Sequence, residues 1–253
     1  KKVIGLIWNL DLLKAGEEKT LSFKVTVNND ATGVISNIAF ANGEETEPVK
    51  NTIIEATKTV TIEGKENESV AKVGDKLIYT ITVKNTGNIA GTANVQDTKL
   101  KELIDNGILK VDEESQEIVN KLMEGTTVDV LENAEATISF KAEVLKVDGN
   151  ITNIAVVGEE KPEVIIDTAN IEIKKDVKEI IRNGEKVEGP VKVNDVINYE
   201  IVVSNTGSAT AKVNVIDEIQ NSNKKLDLKD ENGKVVTEIT VEGKSQRILT
   251  ATY

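Results

Sequence analysis

Three side chains sit in the wrong phase of otherwise apolar β-patterns. Lys58 falls in step with Val60 and Ile62, Asp97 follows Ala93 and Val95, and Asn153 keeps step with Ile151, Ala155 and Val157. Each has a counterpart elsewhere in the chain: Lys175 with Ile171, Ile173 and Val177; Asp217 with Val213 and Val215; Asn37 with Ile35, Ala39 and Ala41. Core-facing positions are normally apolar, because a buried polar group without a partner is costly. Burial favours the neutral forms of an amine and a carboxylic acid. Those are the forms that one reaction needs. An unprotonated lysine attacks the side-chain carbonyl of an asparagine, a protonated acid hydrogen-bonds that carbonyl and shuttles protons, ammonia leaves, and an amide bond remains. Such a reaction is a single-turnover self-modification. An unreactive reading stands beside it, in which Lys58 carries its head to a sandwich edge, Asp97 is its ion-pair partner and Asn153 hydrogen-bonds a turn.

Other chemistry is poorly supplied. The 253 residues contain no histidine and no cysteine, which removes the usual general base, thiolate ligands, disulfides and any Ser-His-Asp triad. A calcium site built from Asp75, Asp97 and Asp195 lacks the D-x-D-x-D spacing of a loop site, so no metal and no cofactor are expected. With 43 acidic against 31 basic residues the net charge is −12, which disfavours nucleic acid and anionic membrane as partners. No apolar run is long enough to span a membrane, so no membrane insertion is expected of this segment.

The elements that must position these residues come from a phrase that occurs twice. VGDKLIYTITVKNTG (residues 73–87) returns as VNDVINYEIVVSNTG (residues 193–207), an offset of about 120 residues, close to the size of one domain. AGEEKTLSFKVTV (15–27) is echoed by ENAEATISFKAEV (132–144), and SNIAFANGEE (36–45) by TNIAVVGEE (152–160). The phrase alternates at period two: Leu77, Tyr79, Ile81 and Val83 share one face, as do Ile197, Tyr199, Ile201 and Val203. Asn-Thr-Gly then supplies a turn, since Asn and Gly tolerate positive φ. This pattern predicts an all-β chain of tandem antiparallel sandwiches. Residues 1–53 read as the C-terminal part of one repeat, 54–168 as a complete repeat and 169–253 as the N-terminal part of a third, with both ends cut from a longer polypeptide. Proline-containing segments at 47–51 and 161–165 read as linkers that interrupt strand pairing. Within residues 99–124, KELIDNG and EESQEIVNKLM each fit a short helix.

TKTV, VGDKLIYTITVKNTGN, VQDT and TNIAV together resemble the Ig-like repeats of Gram-positive surface and fimbrial proteins. They are also similar to collagen-adhesin A-type domains, in which a first-strand lysine bonds to a last-strand asparagine with an aspartate between. The resemblance covers nearly the whole chain. It implies that Lys58 is the nucleophile, Asn153 the electrophile and Asp97 the catalytic acid, with Asp217 the equivalent acid and Lys175 and Asn37 the unpaired equivalents in the incomplete repeats. Tyr79 and Phe140 are the aromatic candidates to line the site. It further implies an extracellular, cell-surface stalk that bears load, is no enzyme towards external substrates, and has other copies of the repeat, in the same or a neighbouring chain, as partners. Two further functions stay open. One is an adhesin that binds a host or cell-surface ligand through the 99–131 insertion, where Leu103, Ile104, Ile108, Leu109 and Met123 are the apolar residues on offer. The other is a set of accessory repeats on a secreted enzyme.

Overall fold

A computed structural model describes residues 5–28, 35–65, 67–87 and 89–253, without the side chains of 50 and 51. The chain forms two units, residues 1–32 and 33–253. In the first, residues 5–28 hold no regular strand, although Trp8 and Phe23 approach with ring centroids 5.7 Å apart. The echo of a strand at 15–27 is therefore not a strand here. A strand takes its hydrogen bonds from a neighbour, and Leu21, Phe23 and Val25 lie exposed without one.

The second unit is mostly β, its strands follow the period-two patterning, and their pairing is antiparallel apart from one short parallel strand. It opens with β1 (Ile35–Asn37) and β2 (Val49–Asn51), which pair with each other. Next come β3 (Ile54–Ile62), β4 (Lys76–Asn85) and β5 (Gly91–Asp97). An insertion follows, made of α1 (Leu100–Asp105), β6 (Leu109–Val111) and α2 (Gln116–Glu124). β7 (Thr126–Val130), β8 (Glu135–Val144), β9 (Ile151–Val157) and β10 (Glu163–Thr168) complete a two-sheet sandwich. One sheet has the order β3-β4-β8-β6; the other runs β7-β5-β9-β10 and ends on the short parallel strand Val70–Ala71.

The predicted phase of β4 holds: Leu77, Tyr79, Ile81 and Val83 are all buried, while Thr80 turns outward to share a 2.9 Å hydrogen bond with Ser139 of β8. Both helices form where the sequence allowed them, and they face inward. Leu100, Leu103, Val119 and Leu122 are buried, and Ile104, Ile108 and Met123 pack on the same core. The insertion thus turns most of its apolar surface toward the sandwich core. No helix among the described residues is long and apolar enough to cross a membrane.

Two expectations about connections need correction. The segments read as linkers are strands: β2 pairs with β1 and β10 with β9, because Pro48 and Pro162 fall just before the strands, where no ladder hydrogen bond is lost. Asn153 accordingly lies on the last strand but one. The Asn-Thr-Gly turn also works differently from the positive-φ reading, since neither Asn85 nor Asn205 adopts positive φ. The buried Asn85 amide organises the corner instead. Its Oδ1 accepts the Gly87 N–H at 2.9 Å, and its Nδ2 donates to the carbonyls of Ile89, Val130 and Leu131 at 2.7, 3.2 and 3.2 Å. Asn205 repeats this pattern with Gly207, Ala209 and Val241.

A second set of strands continues without slack: β11 (Ile171–Arg182), β12 (Val196–Asn205), β13 (Ala211–Asn214), β14 (Glu238–Val241) and β15 (Ser245–Thr252). β11, β12 and β15 form one sheet, and β13 pairs with β14. The joint between the two sets is tight. Thr206 N–H donates to Asn170 O at 3.0 Å, Ala209 N–H to Thr168 O at 2.9 Å and Gly149 N–H to Thr206 O at 3.1 Å. Gly207 is required by this approach, because a Cβ there would lie 2.2 Å from Thr168 O.

A buried lysine, aspartate and asparagine as the candidate functional site

The three out-of-phase residues of the middle repeat meet between the two sheets. β3 is an edge strand that pairs with β4 in the register Lys58 to Ile81, so the period that turns Ile81 inward turns Lys58 inward too. Asp97 ends β5 opposite Ala155 of β9, and Asn153 lies two residues before Ala155 on the same face. Lys58 is 7% exposed, Asp97 1% and Asn153 0%.

Asp97 is the hub. Its Oδ2 accepts Lys58 Nζ at 2.6 Å and Asn153 Nδ2 at 3.0 Å, while Oδ1 accepts the Leu100 N–H at the start of α1 at 3.1 Å. Lysine and asparagine thus converge on one carboxylate oxygen. Below them Tyr79 and Phe140 stack at 5.1 Å, and Lys58 Nζ lies 5.7 Å from the Tyr79 ring centroid. Of the two aromatic candidates, Tyr79 lines the site and Phe140 stacks on it. Burial lowers the pKa of the Lys58 amine, an effect that the charge and hydrogen bond of Asp97 only partly offset. Burial, aided by the Asp97 charge, raises that of Tyr79 and keeps it a phenol.

Two buried oxygens have no hydrogen-bond partner among the described residues: Tyr79 Oη and Asn153 Oδ1. The first gives a direct prediction. Tyr79→Phe keeps the ring stack and removes an unpaired hydroxyl, so it is expected to raise unfolding free energy by about 1 kcal/mol in urea titration. A loss of stability would show that the hydroxyl is paired in solution.

The lowered Lys58 pKa sets a pH dependence. Between that value and the unfolded 10.5, the unfolded chain binds the extra proton, so stability rises with pH across that window. Asn153→Ala, which cannot close a bond, is expected to gain stability over this range relative to Lys58→Met/Asn153→Ala. The difference in urea midpoint between the two, followed against pH, isolates the lysine from the surface ion pairs.

The remaining predicted residues are placed less completely. Lys175 and Asp217 do pair, with Nζ 2.6 and 2.7 Å from the two carboxylate oxygens and 4.2 Å from the Tyr199 ring centroid. The Lys175 side chain, however, is 35% exposed. Asn37, expected to face a core, lies exposed on β1, since no second sheet among the described residues covers that strand. Asp75 and Asp195 are engaged elsewhere, with Lys65 and Arg182. The sequence reading missed Glu160, whose Oε2 accepts the Ala56 N–H at 2.8 Å and so closes the edge of β3 beside Lys58. Its signal was the echoed Gly-Glu-Glu.

These features define a class: tandem antiparallel β-sandwich repeats, one of which encloses a Lys-Asp-Asn cluster. No protein-family model matches the chain, and no curated protein sequence does.

Proposed function

We propose that the chain is a stretch of load-bearing spacer repeats from an extracellular bacterial surface or fimbrial protein, and that its middle repeat is clamped by a self-formed Lys58–Asn153 isopeptide bond. The observation that carries this reading is the burial of all three reactive types around one carboxylate oxygen. Proton transfer from Lys58 to Asp97 yields a neutral amine and a carboxylic acid, a pair that a dry interior favours over free ions. While Asp97 is a carboxylate it can only accept, and the Asn153 NH2 faces it. Once protonated it can donate, and a half-turn of the amide presents the orphaned Oδ1 to it, polarising Cγ. Lys58 Nζ then bonds to Cγ, the Cγ–Nδ2 bond breaks, and an amine hydrogen passes through Asp97 to the departing nitrogen, which leaves as ammonia.

Spacer function is supported by the slackless joint at 168–171 and by the inward packing of the insertion, which weighs against the adhesin reading. Intact mass tests the chemistry. A purified chain is expected to weigh about 17 Da less than its sequence, the loss of one ammonia. The full sequence mass would overturn the clamp.

A further inference from the structure

The two sets of strands are connected by Ala169 and Asn170 alone, between the end of β10 and the start of β11. Neighbouring domains that share a small contact move against each other by default, so a short connection does not by itself fix an angle. A second contact crosses this joint from an earlier loop. Residues 145–150, between β8 and β9, lie against the Asn-Thr-Gly corner that follows β12. Gly149 N–H donates to Thr206 O at 3.1 Å, and Thr206 Oγ1 donates back to Val147 O at 3.3 Å. Thr168 Oγ1, at the end of β10, donates to Gly149 O at 2.5 Å, so the loop is tied both to its own repeat and to the next. Asp148 forms an ion pair with Lys244, whose backbone N–H in turn donates to Gly207 O of the corner at 2.9 Å.

Burial decides which of these contacts matter. The Asp148 and Lys244 side chains are exposed, so their ion pair contributes little and is screened by salt. Val147 and Thr168 are buried, at 5% and 0% exposure. A buried carbonyl that loses its donor costs more than the hydrogen bond contributed, and the hydroxyls of Thr206 and Thr168 supply donors to Val147 O and Gly149 O. Gly149 itself adopts φ +93°, and a Cβ there would lie 3.3 Å from Lys244 Cε, so the loop takes this path on glycine. The end of β10 reinforces the grip: Thr168 N–H donates to Ser208 Oγ at 3.1 Å, and that hydroxyl donates to Asp167 Oδ1 at 2.8 Å.

We infer that the 145–150 loop is a strap with which the middle repeat grips the one that follows, and that this grip, not the two-residue connection, fixes their relative orientation. The partner it fits is the corner Asn205–Gly207, which has a second task besides turning the chain: it is the socket for the preceding repeat. The strap is independent of the bond proposed between Lys58 and Asn153, which uses none of its residues.

Two altered chains separate strap from connection. A pair of glycines inserted between Ala169 and Asn170 lengthens the connection and leaves the strap contacts in place. Asp148→Ala/Thr168→Val/Thr206→Val removes the ion pair and both hydroxyls with little change of shape, and leaves the connection as it is. Residual dipolar couplings of the backbone amides in weakly aligned solution read the orientation. In the unmodified chain and in the insertion variant, β3–β10 and β11–β15 are expected to fit one alignment tensor; in the triple variant they are expected to need two. An insertion that separates the tensors overturns the inference, as does a triple variant that keeps a single one. Should the triple variant fail to fold, hydrogen exchange in the unmodified chain decides: the Gly149 N–H is expected to exchange at least about 100-fold more slowly than in an unstructured chain, and the unstructured rate overturns the strap. Intact mass of the same samples reads the other bond separately. The loss of about 17 Da is expected alike in all three chains, and full mass in all three rejects only the Lys58–Asn153 bond.

Discussion

Asp97→Ala is expected to restore the full sequence mass and to lower stability by at least about 4 kcal/mol. The bond closes a loop of about 95 residues, and the loop-closure argument used for disulfides values such a constraint at about 4–5 kcal/mol. The substitution also leaves Lys58 in the interior without its ion-pair partner, and breaking a buried pair from one side alone costs about 3–5 kcal/mol in comparable cases. The two contributions are not additive, because a neutral amine is cheaper to leave alone than an ammonium. Urea unfolding monitored at Tyr79, with the mass of the same sample measured beforehand, provides the check. Full mass with unchanged stability would mean that the cluster neither reacts nor holds the sandwich together, whereas lowered stability in Asp97→Ala beside a parent chain that already has its full sequence mass would leave a plain buried ion pair.

Asn85→Ala is expected to cost about 3 kcal/mol without touching the bond. Its amide satisfies three carbonyls and one N–H at the corner where β4 gives way to β5, and each hydrogen bond contributes about 1 kcal/mol, with a further penalty where the orphaned partner stays dry. Asn85→Asp retains the acceptor for the Gly87 N–H but sets a carboxylate against three carbonyl oxygens, so it is expected to be no better than alanine. The matching substitution Asn205→Ala tests whether the corner is a general device of the repeat. If Asn85→Ala melts like the parent chain, water replaces the amide and the corner is held by its strands alone.

Much of this architecture was legible in the sequence because a period of two is a strong constraint. Once Leu77, Tyr79, Ile81 and Val83 are assigned inward, pairing carries that phase to Lys58 on β3, while Asp97 and Asn153 are read from the apolar alternation of their own strands in the facing sheet. The same logic placed Lys175 against Asp217. It failed for Asn37 and for residues 15–27, where the pattern is present but burial needs a second layer and a strand needs a ladder. It also misjudged 47–51 and 161–165, where a proline beside a strand looks like a proline within one. Glu160 and Asn85 were hidden for another reason. Their roles depend on side chains reaching backbone groups of distant segments, and no periodicity records such a reach.

The position of Asn153, one strand before the end of its repeat, has a mechanical consequence. If tension enters at β3 and leaves through β10, a Lys58–Asn153 bond shields the residues between them but leaves the stretch from 154 to 168 outside the closed ring. That stretch is a hairpin whose second strand peels from β9 one hydrogen bond at a time. Its roughly 15 residues add about 5 nm of contour when pulled straight. The middle repeat would then yield by a short increment before its covalent stop is reached, and behave under load as a stiff link in series with a small spring.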